Sequence, residues 1–264
     1  MAPSRPGVTA GPVLFARYAY PPNALGYCGP ADHGALLGAS VEGGDAAELA
    51  HLAARFEGAW PYLELIAGCN GITDPLDEAV VEAYWVGNAL LDGVPPAALV
   101  ASLDERFARR AGRDFGPIAR AVPLGGVAHH SFHVFAVYPW LGLLRAGTKG
   151  PALTVLDRCR IRWGRVQALD GDEVVVANRT LAFRGNRLEL GDMQVERARR
   201  GTDGLGILGD LAVGEHVSLH WDWVCERLSP ARLARLRAVT ARNLTAVNAL
   251  PAPGPAVAAD SWGD

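Results

Sequence analysis

The side chains able to do chemistry in this chain are its cysteines and histidines, four and seven in number. Cys28, Cys69, Cys159 and Cys225 are far apart and make no CxxC pair. Three histidines cluster as His129, His130 and His133, and His220 lies ninety residues beyond His130, four after His216. Thiolate and imidazole are donors for soft and borderline metals, so metal binding or proton transfer is the chemistry on offer. The histidine cluster reads in two ways. On a strand His129 and His133 share a face while His130 points away; on a helix His129 and His133 are i,i+4 neighbours, a metal-ligand spacing. The aromatic and β-branched residues of His129–Trp140 (HHSFHVFAVYPW) favour a buried strand. The plain alternative is imidazoles packed like aromatic rings with one hydrogen bond each. Cys28 and Cys69, each beside a glycine, then serve as small buried hydrophobes.

Other chemistries are excluded. There is no GxxxxGK[ST] phosphate loop and no GxSxG elbow, and Gly204, Gly206 and Gly209 spell GxGxxG only within a glycine-rich loop. A net charge of −3 and a pI near 6.2 argue against nucleic acid. Of 25 Lys and Arg only Lys149 is lysine, a bias typical of GC-rich bacterial genomes. The most apolar run, Val134–Leu144, is too short to span a membrane and holds Pro139. With no apolar segment ahead of Pro21-Pro22 to act as an export signal, the thiols are expected to be reduced and the protein cytoplasmic.

The elements that must position these groups form two halves, predicting an α+β protein. Residues 11–145 are mainly helical. Asp45 and Glu48 make a capping box before Leu49, Leu52 and Phe56. Asp74-Pro75 reads as a cap for the helix carrying Val81, Tyr84 and Trp85, and Pro95-Pro96 opens a third helix. Tyr18–Pro30 (YAYPPNALGYCGP) reads as an ordered loop packed against an aromatic-rich strand at 129–140, bringing Cys28 near His129 or His133. From 153 to 249 short strands alternate with turns at Asp170-Gly171-Asp172 and Gly185-Asn186, a pattern for a small β-barrel. A helix capped by Ser229-Pro230 follows, with Leu233, Leu236, Leu244 and Val247 on one face. Residues 250–264 read as a disordered tail.

Cys159 falls at the mouth of the first barrel strand and His220 on the last. First and last strands of a small barrel can be neighbours, so the two side chains can meet on one metal.

The residues CxxxxGxV at Cys159–Val166, the Asp170-Gly171-Asp172 turn and VGExVxxH at Val213–His220 resemble the HypC/HupF family of nickel–iron hydrogenase maturation chaperones. The likeness covers about 157–248 and includes the order of elements. It implies an OB-like β-barrel with a C-terminal helix, with Cys159 holding an iron–dicyanide–carbonyl cargo and His220 beside it. Its implied partners are the hydrogenase large-subunit precursor or other maturation proteins. Here the cysteine is internal rather than next to an initiator methionine, and Trp163 replaces the family's proline before the glycine. The N-terminal half, through HHSFHVFAVYPW, resembles an uncharacterised bacterial family found near hydrogenase genes. The expected function is a non-enzymatic accessory factor. Two alternatives stay open: a metal- or haem-dependent enzyme using Cys28 and His129–His133, and a metal-free interaction module.

Overall fold

The computed structural model describes residues 10–31, 33–42, 45–111, 115–147, 151–202, 205–208 and 211–250. Lys149, Gly204, Gly209 and the tail beyond 250 lie outside the described residues. The chain is α+β: helices first, then a five-stranded sheet, then one long helix.

The first helix, α1 (Ala10–Ala24), corrects the loop expected at Tyr18–Pro30. It runs through Pro21 and Pro22 because Phe15, Tyr18 and Ala19 are buried in the main core, and that burial outweighs two missing N–H donors. The chain leaves it in a turn with Gly26 and Gly29 in the left-handed region. Helices α2 (His33–Glu42) and α3 (Ala46–Ala54) pack on α1. Asp45 caps α3 by accepting from Ala47 and Glu48 N–H. Helix α4 (Trp60–Cys69) precedes α5 (Glu78–Trp85), whose cap is Asp77. The expected cap, Asp74, instead holds the preceding turn through Leu76 N–H. Helices α6 (Pro96–Ala111) and α7 (Phe115–Ala121) follow.

The expected strand at 129–140 is helical. His130–Phe132 (α8) runs into a π-helical turn, His133–Val137, and then α9 (Trp140–Arg145). The segment touches the sheet through side chains, His130 on His220 and Val134 and Phe135 beside Leu181 and Leu188, but no strand pairs with its backbone, which a helix satisfies internally. Burial on every side also removes the amphipathic period that would have announced a helix.

Helix α10 (Ala152–Cys159) leads to β1 (Arg162–Asp170), which places Cys159 at a helix end rather than at a strand mouth. β2 (Glu173–Arg184) and β3 (Arg187–Arg199) are each one long strand where shorter runs were expected, joined through Gly185-Asn186, both in the left-handed region. After the short β4 (Gly201–Thr202) and β5 (Leu205–Gly206), the expected last strand divides into β6 (His216–His220) and β7 (Trp223–Arg227). The strand order β1-β2-β3-β7-β6 closes on itself, with β1 pairing antiparallel to both β2 and β6. Gly164 is therefore a strand glycine, and a Cβ there would strike Val176 and the Ala177 carbonyl. Val166, Val174, Val176, Val217, Leu219 and Val224 form the core of the sheet. Ser229 caps α11 (Pro230–Asn248), whose buried face includes Leu233, Leu236, Leu244 and Val247 as expected.

The largest apolar cluster joins the two halves: Phe15, Tyr18, Tyr84 and Trp85 share it with Trp163, Cys225 and Leu236. Among the described residues no helix is long and apolar enough to cross a membrane.

Candidate metal centre

Cys159 is the last residue of α10, and two buried arginines fix the chain on either side of it. Arg160 donates to Asp157 Oδ1 at 3.0 Å and to the Arg179 carbonyl at 2.6 Å. Asp157 Oδ1 also accepts from Leu181 N–H, tying α10 to β2. Arg162 bonds Glu196 and the Trp221 carbonyl. That carbonyl belongs to the two-residue turn after His220, where Trp221 has φ +54. A bulky residue in the left-handed region is strained. Here it is held by its N–H to the Arg158 carbonyl and by stacking on Tyr27, centroids 4.3 Å apart. The turn places the indole in the same cluster as Cys159.

His220 ends β6 and points toward α1. Its Nδ1 lies 2.6 Å from the Tyr18 carbonyl. A carbonyl only accepts, so Nδ1 carries the proton and Nε2 has a free lone pair. In an unbroken helix the Tyr18 carbonyl would accept from residue 22. Residue 22 is proline, which has no N–H. The Pro21-Pro22 pair thus opens a carbonyl in mid-helix, and His220 occupies it. Nε2 is fully buried and has no hydrogen-bond partner.

His130 opens α8. Its Nε2 is 2.9 Å from the Cys159 carbonyl and 4.0 Å from Cys159 Sγ, and its Nδ1 is 3.1 Å from the Tyr84 hydroxyl. Nε2 therefore donates and Nδ1 accepts from tyrosine. A hydroxyl both donates and accepts, and Tyr84 also reaches the Gly58 carbonyl at 3.4 Å. Tyr84 can also serve the other tautomer, accepting from Nδ1–H; Nε2 then has no proton for the Cys159 carbonyl and must turn from it toward a metal.

One ligand atom each from His130, Cys159 and His220 lies within 4.8 Å of the others. The Trp85 ring flanks both imidazoles, its centroid 4.6 Å from that of His130 and 5.7 Å from that of His220. Burial keeps both rings neutral: it lowers His220 to about 4 and His130 well below the ordinary value, where the neighbouring His220 and His133 add to the effect. Burial likewise pushes the Cys159 thiol up, with Cys28 adding and the Trp221 indole opposing. The centre is thus two neutral imidazoles and a protonated thiol. A metal entering it would displace the sulfur proton and the His130 Nε2 proton. Metal–ligand distances of about 2.0–2.3 Å imply tetrahedral donor separations of about 3.3–3.8 Å, so the donors need close by only about 1 Å. The orphaned Nε2 of His220 and the soft-plus-borderline donor set fit a transition-metal ion.

The other sequence candidates lie outside the donor group. His129 caps α8, with Nδ1 accepting from Ser131 N–H at 3.0 Å. His133 packs edge-on between Tyr62 and Tyr138, with centroids 5.6 and 4.7 Å away. Burial lowers both histidines to about 3. Cys28 sits in the turn after α1, half-buried, its thiol raised to about 12 by burial. Among the described residues Cys28, His129 and His133 form no group of three close ligand atoms, and of the His129–His133 cluster only His130 joins the centre. Cys225 is buried at 3.8 Å from the Trp223 carbonyl. The pairing of Cys159 with His220 was readable from the sequence. His130 was set aside because a strand points it away from its neighbours, whereas a helix aims it at α10.

A family model described as a family of unknown function (DUF6390) matches residues 7–253. The chain belongs to this family. The matched range takes in both halves and every residue of the centre. No curated protein and no solved structure matches.

Proposed function

We propose that this DUF6390 chain is a non-enzymatic accessory factor of nickel–iron hydrogenase maturation. In this reading an OB-like barrel with its helix holds an iron unit through Cys159 and His220 and contacts the large-subunit precursor or another maturation protein, in the cytoplasm. The observation that carries the reading is the meeting of Cys159, His220 and His130 in one buried group. The first two come from the motifs that resemble the chaperone family. An iron that brings two cyanides and a carbonyl has three ligands of its own, and three protein donors would complete six. Admitting such a unit requires the fold to open locally, since Cys159 is only 5% exposed.

The test is a pull-down of the large-subunit precursor, with iron content measured on the captured protein. Cys159→Ala should keep the melting temperature within a few degrees, since a small buried side chain contributes about 1–2 kcal/mol, and should lose both iron and precursor. His220→Ala should weaken capture without abolishing it. A Cys159→Ala protein that captures precursor and supports hydrogenase activity like wild type would sink the proposal.

A further inference from the structure

The helical half has no counterpart in the motifs that suggested a metal, yet it supplies atoms to the centre. His130 comes from α8 and the Tyr18 carbonyl from α1, while Cys159 and His220 belong to the segment from α10 onward. The Tyr18 carbonyl is available only because Pro22 cannot donate to it, and the bond it makes spans 202 residues at 2.6 Å. A ligating histidine generally needs its second ring nitrogen anchored to a carbonyl or carboxylate, which fixes tautomer and ring angle. His220 already has that arrangement, with Nδ1 anchored and Nε2 empty and unpartnered. His130 has the complementary arrangement, Nδ1 on a hydroxyl able to take either role.

We infer that the helical half completes a three-donor site for one transition-metal ion within a single chain. His130 Nε2 is the third ligand beside Cys159 Sγ and His220 Nε2. Pro22 is a positioning residue, which by vacating the Tyr18 carbonyl fixes His220 with its donor nitrogen toward the metal. On binding, Cys159 gives up its thiol proton and His130 moves a proton from Nε2 to Nδ1 through exchange with water, Tyr84 turning from donor to acceptor. One proton leaves per metal bound, and no redox change occurs. The inference rests on metal binding at Cys159 and His220, but not on the identity of the cargo.

The experiment uses the full chain and Co(II), with Zn(II) in competition. Wild type should bind one Co(II) with a thiolate-to-cobalt charge-transfer band. His130→Phe, which keeps the ring volume beside Trp85, should lower affinity at least tenfold and alter the ligand-field bands. Pro22→Ala should keep the melting temperature and lower affinity by about tenfold, the usual effect of losing a ligand's anchor. In the metal-free wild type, nitrogen-15 NMR should show His220 protonated at Nδ1 alone. That measurement decides the positioning role even if Pro22→Ala does not fold. Wild type taking up no cobalt would defeat the underlying metal reading. Cobalt uptake that depends on Cys159 and His220 but is indifferent to His130→Phe would overturn the third ligand. A His220 ring protonated at Nε2, or a folded Pro22→Ala of unchanged affinity and spectrum, would overturn the positioning role.

Discussion

Two buried polar clusters meet at Tyr18, and they differ in how completely their atoms are used. On one side the Tyr18 hydroxyl lies 2.8 Å from Ser218 Oγ and 2.9 Å from Glu226 Oε2. Glu226 pairs with Arg232, which also reaches Glu82, and Glu82 accepts from Asn88 at 3.1 Å. Charges and hydroxyls close into one network across α1, α5, β6, β7 and α11. On the other side the Tyr18 carbonyl anchors His220, whose second nitrogen makes no hydrogen bond of ordinary geometry. The network reaches partly exposed Arg232 and Glu82 while the donor group is buried throughout, and the two differ in saturation. A saturated network fixes the packing of elements, and its members lose value when one is removed. An orphaned ring nitrogen in the core costs stability and persists where it has a use. The buried hydroxyls of Tyr62 and Thr240 also make no hydrogen bond, so what marks the second cluster is an imidazole nitrogen of that kind beside a thiol and a second imidazole.

Acid should divide the two clusters most sharply. His129, His130, His133 and His220 are neutral in the fold, with His129 and His133 lowered to about 3 and His220 to about 4. The unfolded chain takes up these protons near pH 6.5 and the folded one does not until far lower. Stability is therefore intact above pH 6.5 and falls as the pH drops toward 4, by about 1.4 kcal/mol per pH unit for each histidine. Four together approach a loss of about 5.6 kcal/mol per unit once the unfolded chain is fully protonated, visible as cooperative unfolding in urea titrations as the pH falls from 6.5 to 5. Glu226 acts in the opposite sense, since burial raises its carboxyl and acid relieves it. Saturating Zn(II) should move the acid transition to lower pH; a transition that zinc leaves in place would break the assignment of the open cluster as a site.

Next in size is removal of a network member. Glu226→Ala leaves Arg232 and Tyr18 without their shared partner and should cost about 3 kcal/mol in chemical denaturation. The folded remainder should bind cobalt within threefold of wild type. Cys159→Ala should show the reverse, about 1–2 kcal/mol of stability and complete loss of the charge-transfer band. If both variants lost stability alike, saturation would not distinguish the clusters.

Metal affinity should rise about tenfold per pH unit between pH 6 and 8, because a thiol raised by burial must release one proton and both imidazoles are already neutral. The smallest effect is Tyr84→Phe, which removes the hydroxyl on His130 Nδ1. It should change stability by about 1 kcal/mol and cobalt affinity by no more than tenfold.

The sequence patterns located features that depend on neighbours along the chain. Caps at Asp45 and Ser229, the turns at Gly171 and Gly185-Asn186, and the apolar face of α11 need only local rules. Cys159 and His220 were paired through motif order. What escaped depends on contacts distant in sequence. The HHSFHVFAVYPW segment is helical because no strand is available to pair with it, and its composition cannot report that. Pro21-Pro22 sits within a helix because Phe15, Tyr18 and Ala19 are covered by other elements. His130 joins the site only once that segment is wound as a helix.

The span of the His220–Tyr18 bond also orders events in time. The centre draws on residues 18, 130, 159 and 220, nearly the whole described length, and β7 and α11 must close around β6 to bury it. Contacts of such long separation form late, after local helices and the β2–β3 hairpin. A fragment that begins after residue 130 or ends before residue 220 lacks part of the donor set. Metal uptake therefore reports that both halves are present and docked, so a chain missing either half would be passed over by whatever supplies the metal.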